Sequence, residues 1–119
     1  MPGARMRRVN EALREVLAEG IEALGDPGIG FITVTAVRAT PDLGRADVFV
    51  SVLGAARRRE RALRGLERAH GVLQSRIAHE LHLKRTPQLS FHYDESVDRA
   101  MRLNELLAQS PPPADPDPR

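Results

Sequence analysis

The sequence predicts a single two-layer α+β domain in which helices cover one face of a three-stranded sheet. Stretches with apolar residues at helical spacing alternate with short stretches in which every second residue is apolar. They follow one another in the order helix, strand, strand, helix, helix, strand, helix. The predicted strands have one face more polar than the other, so the helices are expected on a single side of the sheet.

The first half of the chain predicts a helix followed by a β-hairpin. Residues 7–24 carry apolar side chains at helical spacing, and the Gly-Asp-Pro-Gly sequence of residues 25–28 ends that helix. Residues 29–39 and 45–53 alternate as strands do, and five turn-forming residues join them. In the first strand, one face is expected to contain Ile32, Val34 and Ala36, and the other face Phe31, Thr33 and Thr35.

The second half predicts two helices, a strand and a last helix. Residues 56–70 form one helix, Gly71 interrupts the pattern, and the next helix covers residues 72–83. A short strand follows over residues 88–93. The cap-forming residues 94–96 (Asp-Glu-Ser) then start the final helix.

Composition limits the classes of protein to consider. We expect residues 1–108 to form the domain and residues 109–119, which are rich in proline, to form a disordered tail. The chain has no cysteine, which excludes disulfides and thiolate chemistry. No apolar run approaches the roughly 20 residues that span a bilayer, and no signal-like apolar stretch follows the basic start. We therefore expect a cytoplasmic, monomeric protein without membrane contact.

Positive charge is concentrated in one part of the chain. Between residues 57 and 85, nine basic residues outnumber three acidic ones, a net charge of +6. The whole chain has a net charge of +2, so the remainder carries −4. This distribution predicts a polyanionic partner for one surface, although a solvated charged face is an alternative explanation.

The second helix places its arginines on one face. At about 100° per residue, Arg57, Arg61, Arg64 and Arg68 lie within an arc of roughly 60°. Leu66 lies opposite, so the arginine face should point into solvent, whereas Arg59 falls near the apolar side. Like charges at this spacing repel by a few tenths of a kcal/mol per pair, so the face does not stabilise the domain. Contact with phosphates is its simplest use, because the guanidinium fork donates bidentately.

The aromatic residues indicate how a nucleic acid would be bound. Recognition of single strands often uses aromatic platforms, but the chain has only three phenylalanines and one tyrosine. Each of them lies in a predicted strand where packing explains it: Phe31, Phe49, Phe91 and Tyr93. The sequence therefore favours recognition of backbone and shape over stacking on bases.

Two apparent motifs carry no chemistry. His79 and His82 are three residues apart, whereas a zinc-protease helix needs four, and no third ligand is evident. The only lysine is followed by Arg85, so no Gly-Lys-Ser/Thr phosphate-binding loop exists. No local sequence indicates a catalytic triad, so we expect neither an enzyme nor a cofactor.

Five stretches of sequence together resemble the ribosome-binding factor A family. The matching stretches are RVNEALRE at residues 8–15, DPGIGFITVT at 26–35, PDLGRADVFVSVLG at 41–54, LKRTPQLSF at 83–91 and YDESVDRA at 93–100. No single stretch is diagnostic, but their joint order is specific. They extend over about residues 7–107, nearly the whole folded part.

The resemblance implies a KH-like domain of the type II order. KH domains hold the nucleic-acid backbone with a Gly-x-x-Gly loop between two helices, whereas this family has an Ala-x-Gly kink there. Ala69-His70-Gly71 matches that kink. The literal Gly-x-x-Gly at residues 25–28 precedes the first strand and is not the KH loop.

The resemblance also implies a function and partners. The family binds the immature small ribosomal subunit and its 16S rRNA, supports late processing of the 16S precursor and growth in the cold, and uses no nucleotide or metal. Assembly GTPases are its functional partners. The residues expected to contact rRNA phosphates are Arg57, Arg61, Arg64, Arg68, Arg76, Lys84 and Arg85. Two other hypotheses stay open at this point: a protein–protein adaptor that binds an acidic partner through the basic helix, and a hydrolase with dispersed catalytic residues.

Overall fold

The computed structural model describes residues 3–109 and confirms the predicted two-layer α+β architecture. The elements are α1 (Ala4–Leu24), β1 (Ile32–Ala39), β2 (Arg45–Val52), α2 (Ala56–Arg68), α3 (His70–Glu80), β3 (Gln88–Tyr93) and α4 (Glu95–Gln109). Their order is the predicted one. Residues 110–119 lie outside the described residues, so the proline-rich tail and its boundary stay a prediction.

The central strand organises the sheet. The strand order is β1-β2-β3, with β2 antiparallel to β1 and parallel to β3. A parallel pair needs a crossover connection, and α2 and α3 provide it. The residues of β2 that face the helices are Ala46, Val48, Val50 and Val52, and all four are buried. The core therefore lies between this face and α1, α2 and α3.

A β-bulge in the first strand changes which residues face inward. Val34 pairs with Val50 and Ala36 with Phe49, so Thr35 is an extra residue that has no pairing partner in the register of β1 and β2. One extra residue exchanges the two faces of a strand beyond it. Val37 is consequently buried, and the prediction that Ala36 shares the inner face with Val34 is wrong.

The last helix leaves the body of the domain after its first turn. Four of its large apolar side chains are exposed: Met101, Leu103, Leu106 and Leu107. None of the described helices combines the length and apolar composition that crossing a bilayer requires.

Glycine in α2 allows a close approach to the loop before β1. A Cβ atom added at Gly65 would lie 2.6 Å from Cγ1 of Ile29, whose side chain is buried. No real Cβ contact is that short, so Ile29 or the helix would have to move. Gly71 differs, because nothing lies within 4 Å of the position that its Cβ would take.

We expect Gly65→Ala to destabilise the domain and Gly71→Ala to stabilise it. Overpacking costs about 1–3 kcal/mol, and a contact this close places Gly65→Ala in the upper half of that range. A gain of about 1 kcal/mol in helix propensity offsets part of this cost, which leaves a net loss of about 1–2 kcal/mol. Gly71→Ala gains the same helix propensity without a packing cost, because the position of its Cβ is open. Urea unfolding measures both, and equal midpoints for the two variants would contradict the close packing at Gly65.

Candidate nucleic-acid interface

The second helix divides into a buried face and a basic face. Ala62, Gly65 and Leu66 are buried against the sheet and the neighbouring loop. The helix also begins without a side-chain cap and without an acidic residue in its first turn. Its positive N-terminal partial charge therefore adds to the charge of its arginines.

The four arginines predicted to share a face are exposed on the side opposite this buried face. They are Arg57, Arg61, Arg64 and Arg68. Within residues 3–109, none of the four has a carboxylate within ion-pair distance or makes a side-chain hydrogen bond. Their charge is therefore not neutralised by the domain, which leaves the guanidinium donors available to an external anion. We call these four residues the arginine face.

One arginine of α2 has a structural role that the sequence did not reveal. Nη1 of Arg59 lies 2.9 Å from Oδ2 of Asp98, and its guanidinium carbon lies 4.3 Å from the centre of the Tyr93 ring. The Tyr93 hydroxyl donates a hydrogen bond of 2.9 Å to Oδ1 of Asp98. Burial and this hydrogen bond raise the pKa of Tyr93. The three side chains connect α2 to β3 and to the first turn of α4.

The apolar-side position of Arg59 was the available signal for this role. A cation on that side of an otherwise basic helix needs a partner inside the domain, and Asp98 is that partner. The sequence showed that Arg59 lies on the apolar side of the helix. It did not show that Asp98 is its partner, because the two residues are far apart along the chain.

The remaining predicted phosphate ligands do not lie on the arginine face. Arg76 is half-buried on α3, with Nε 2.8 Å from Oε2 of Glu80. Lys84 and Arg85 are exposed in the loop between α3 and β3. Lys84 lies beside Leu43, at the edge of the sheet where β2 begins, whereas α2 follows the end of β2. Lys84 and Arg85 therefore form a separate basic region, and Arg76 lies apart from them, beside Gly20 of α1.

The break between α2 and α3 is placed at Ala69. Its φ and ψ are −88° and 4°, and its N–H donates to the carbonyls of Gly65 and Leu66. Its own carbonyl accepts from the N–H of Leu73, so Ala69 keeps both of its helical hydrogen bonds at the break. Gly71 lies in the first turn of α3 with its backbone exposed and without a positive φ.

The prediction that all aromatic residues pack in strands is wrong for one of them. Phe31 precedes β1 and is 81% exposed, and Leu53 beside it is 74% exposed. Both line a cleft that also contains Arg58 and Arg61. The sequence could not show this, because a phenylalanine next to β-branched residues is typical of a buried strand.

Metal ligation is not supported by the geometry of the described residues. Within residues 3–109, no three His, Cys, Asp or Glu side chains come close enough to hold one ion. His79 contacts the carbonyl of Ser75, and His92 lies 2.9 Å from Asp47 on the outer face of the sheet.

The start of α4 is fixed by an aspartate. Oδ1 of Asp94 accepts hydrogen bonds from the N–H and hydroxyl of Ser96, as an N-cap does, and Oδ2 accepts one from the Thr35 hydroxyl at 2.6 Å. The hydrogen bonds from Ser96 and Thr35 lower the pKa of Asp94 from its ordinary value of 3.8. The extra residue of the bulge thus anchors the start of α4 to the sheet.

This lowered pKa gives a prediction for acid unfolding. A carboxylate with a depressed pKa in the folded state stabilises the protein above its unfolded pKa, and the contribution is lost as the pH falls through the folded pKa. We expect Asp94→Asn, which keeps an acceptor for the Ser96 N–H, to lose less stability than wild type below about pH 4. Urea midpoints between pH 6 and pH 3 measure this. The matched control is Glu95→Gln, since Glu95 is exposed and has no ion pair or hydrogen bond within residues 3–109. An acid response in Asp94→Asn as steep as in the control would contradict the role of Asp94.

The fold and the arginine face together describe a class of protein: a small KH-like α+β domain with an unneutralised basic helix beside its sheet. The comparisons with known proteins agree with this fold. The family model "Ribosome-binding factor A" matches residues 5–107, and the chain belongs to that family.

Relatives and solved structures give the extent of the similarity. The chain is 43% identical over 117 residues to ribosome-binding factor A of Halorhodospira halophila, which covers 96% of this chain and 93% of the relative. The crystal structure of ribosome-binding factor A from Thermus thermophilus is 34% identical, with a TM-score of 0.69, and covers 74% of this chain and 94% of that one. A Thermus thermophilus homology model, fitted into a cryo-EM map of a 30S complex with the factor, is 35% identical with a TM-score of 0.62. That match covers 72% of this chain and 91% of the other.

Proposed function

We propose that the protein binds the immature small ribosomal subunit and that the arginine face of α2 contacts phosphates of its 16S rRNA. The observation that carries this proposal is the row of four exposed guanidinium groups without an internal carboxylate partner among residues 3–109. Membership of the family and the neighbour fitted into a 30S complex support the same partner.

The proposed action is binding without catalysis. The factor holds a late-folding region of rRNA in one conformation until maturation ends, and so supports processing of the 16S precursor. It needs no nucleotide or metal of its own, and assembly GTPases assist or release it. The break at Ala69 sets the angle between α2 and α3, and thus the shape of the RNA-binding surface.

The separate basic region has a secondary part in this proposal. Lys84 and Arg85, which are exposed, meet a second segment of rRNA beyond the arginine face. Arg76 would first have to exchange its ion pair with Glu80, so we expect its contribution to be the smallest of the seven.

Reversal of two charges on the arginine face tests the proposal. Arg61→Glu with Arg64→Glu should release the protein from small subunits in a sucrose gradient, because attraction to phosphate becomes repulsion. The matched control is Arg38→Glu with Arg102→Glu, which changes the net charge equally at exposed positions outside α2. Co-sedimentation of the folded α2 variant at the wild-type level would contradict the assignment.

The salt dependence of binding provides a second test. Each phosphate contact adds roughly 0.7–0.9 to the slope of log affinity against log salt. Loss of two contacts in Arg61→Ala with Arg64→Ala should therefore reduce the slope by about 1.4–1.8. An unchanged slope would show that neither arginine meets a phosphate.

RNase treatment separates RNA binding from the adaptor hypothesis. A protein that binds rRNA loses its associated ribosomal proteins when the RNA is digested, whereas an adaptor retains its acidic partner. Retention of a protein partner after complete digestion would favour the adaptor.

A further inference from the structure

A single aromatic ring stands exposed beside the arginine face. Phe31 is 81% exposed, although most phenylalanines contribute to a core. Its flanking residues explain the orientation. Ile29 is buried against α2, Gly30 follows with a φ of +70°, and the chain then enters β1 at Ile32. With Ile29 anchored inward, the backbone turns the Phe31 ring toward solvent.

The backbone that carries this ring is held in place. The carbonyl of Phe31 accepts a hydrogen bond from the N–H of Leu53 at 3.4 Å, which extends the pairing of β1 and β2 by one step. The preceding turn is closed by Asp26, whose carbonyl accepts from Ile29 at 3.0 Å and whose side chain accepts from Gly28 at 2.8 Å. The backbone at Phe31 is therefore ordered before binding, which reduces the conformational entropy lost when a ligand binds.

Two arginines share a cleft with the ring. Arg58 and Arg61 line the same cleft as Phe31 and Leu53, and that cleft has no acidic lining residue among those the structure describes. Gly54, with a φ of +125°, allows this arrangement, because a Cβ there would lie 2.5 Å from Cδ of Arg58. Neither arginine has an ion pair or side-chain hydrogen bond within residues 3–109.

The chemistry of the cleft favours a nucleic-acid strand over a protein segment. An apolar peptide covering Phe31 would bury two guanidinium groups without partners, which is costly. A single strand of RNA offers a flat base for the ring and phosphates for the arginines.

We propose that Phe31 is a stacking platform for an unpaired base of single-stranded RNA, whose flanking phosphates are held by Arg58 and Arg61. This inference rests on the proposed function and deepens it, since it assigns a single-stranded segment to the site beside the arginine face. Arg61 belongs to both, so the strand continues from the stacked base onto α2.

A tryptophan at this position reports on stacking directly. The chain contains no tryptophan, so Phe31→Trp introduces a unique fluorophore. We expect a single-stranded oligoadenylate to quench its emission saturably, and a blunt RNA duplex with the same number of phosphates to quench it much less. The control is Leu107→Trp, an exposed apolar position on α4 outside the cleft, which should not respond. Equal quenching of Phe31→Trp by both RNAs, or none, would overturn the stacking proposal.

Two truncations separate stacking from apolar contact. Phe31→Ala should weaken binding of the oligoadenylate roughly five- to hundredfold, the range expected for loss of one base–aromatic stack. Phe31→Leu keeps an apolar surface but no aromatic face, so it should lose nearly as much. Because Phe31 is exposed, both variants should fold as wild type does. Wild-type affinity for the oligoadenylate in Phe31→Leu would overturn stacking, because an apolar side chain without an aromatic face would then suffice.

The same measurements distinguish failure of this proposal from failure of the proposed function. If Phe31→Ala binds small subunits and oligoadenylate like wild type while the Arg61→Glu, Arg64→Glu variant binds neither, stacking is wrong and phosphate contact stands. If both variants bind small subunits at the wild-type level, the arginine face is not the interface and both proposals are wrong.

Discussion

The burial of one face of α2 determines where the positive charge of the domain is displayed. Leu66 and Ala62 are fully buried, and burial of a leucine side chain alone is worth about 1.5–3 kcal/mol. Rotation of the helix by one residue would expose Leu66 and bring an arginine toward the core, which costs several kcal/mol without a partner. Repulsion among neighbouring arginines amounts to only a few tenths of a kcal/mol per pair. Packing therefore decides the orientation of the helix, and the arginines lie where packing leaves them.

The distribution of carboxylates keeps this charge unneutralised. Asp98 of α4 forms an ion pair with Arg59 and accepts a hydrogen bond from Tyr93. Its carboxylate is therefore engaged on the inner side of α2 and does not reach the arginine face. The same pairing fixes α4 beside the end of the sheet. The outer guanidinium groups are left without partners among residues 3–109, and Arg61 connects them to the exposed ring of Phe31. One helix thus contributes to the core with one face and to the proposed RNA contact with the other.

The local pattern of apolar and polar residues predicted the helices and strands of this fold well. It could not predict features that depend on residues far apart along the chain. The strand at Gln88–Tyr93 was predicted to the residue, because alternation over a short stretch is a local property. The bulge at Thr35 was missed, since an extra residue is defined only against the opposite strand. The partner of Arg59 was missed for the same reason, and the exposure of Phe31 was missed because its neighbours are typical of a buried strand. The exposure of the arginine face was predictable, because helical geometry places its residues opposite the buried ones.

The most direct measurement of the central claim is a cryo-EM structure of this protein bound to the immature small subunit. We expect α2 to lie against the RNA, with the guanidinium groups of Arg61 and Arg64 about 2.7–2.9 Å from phosphate oxygens. A bound structure in which α2 faces solvent, while another surface of the domain meets the subunit, would contradict it.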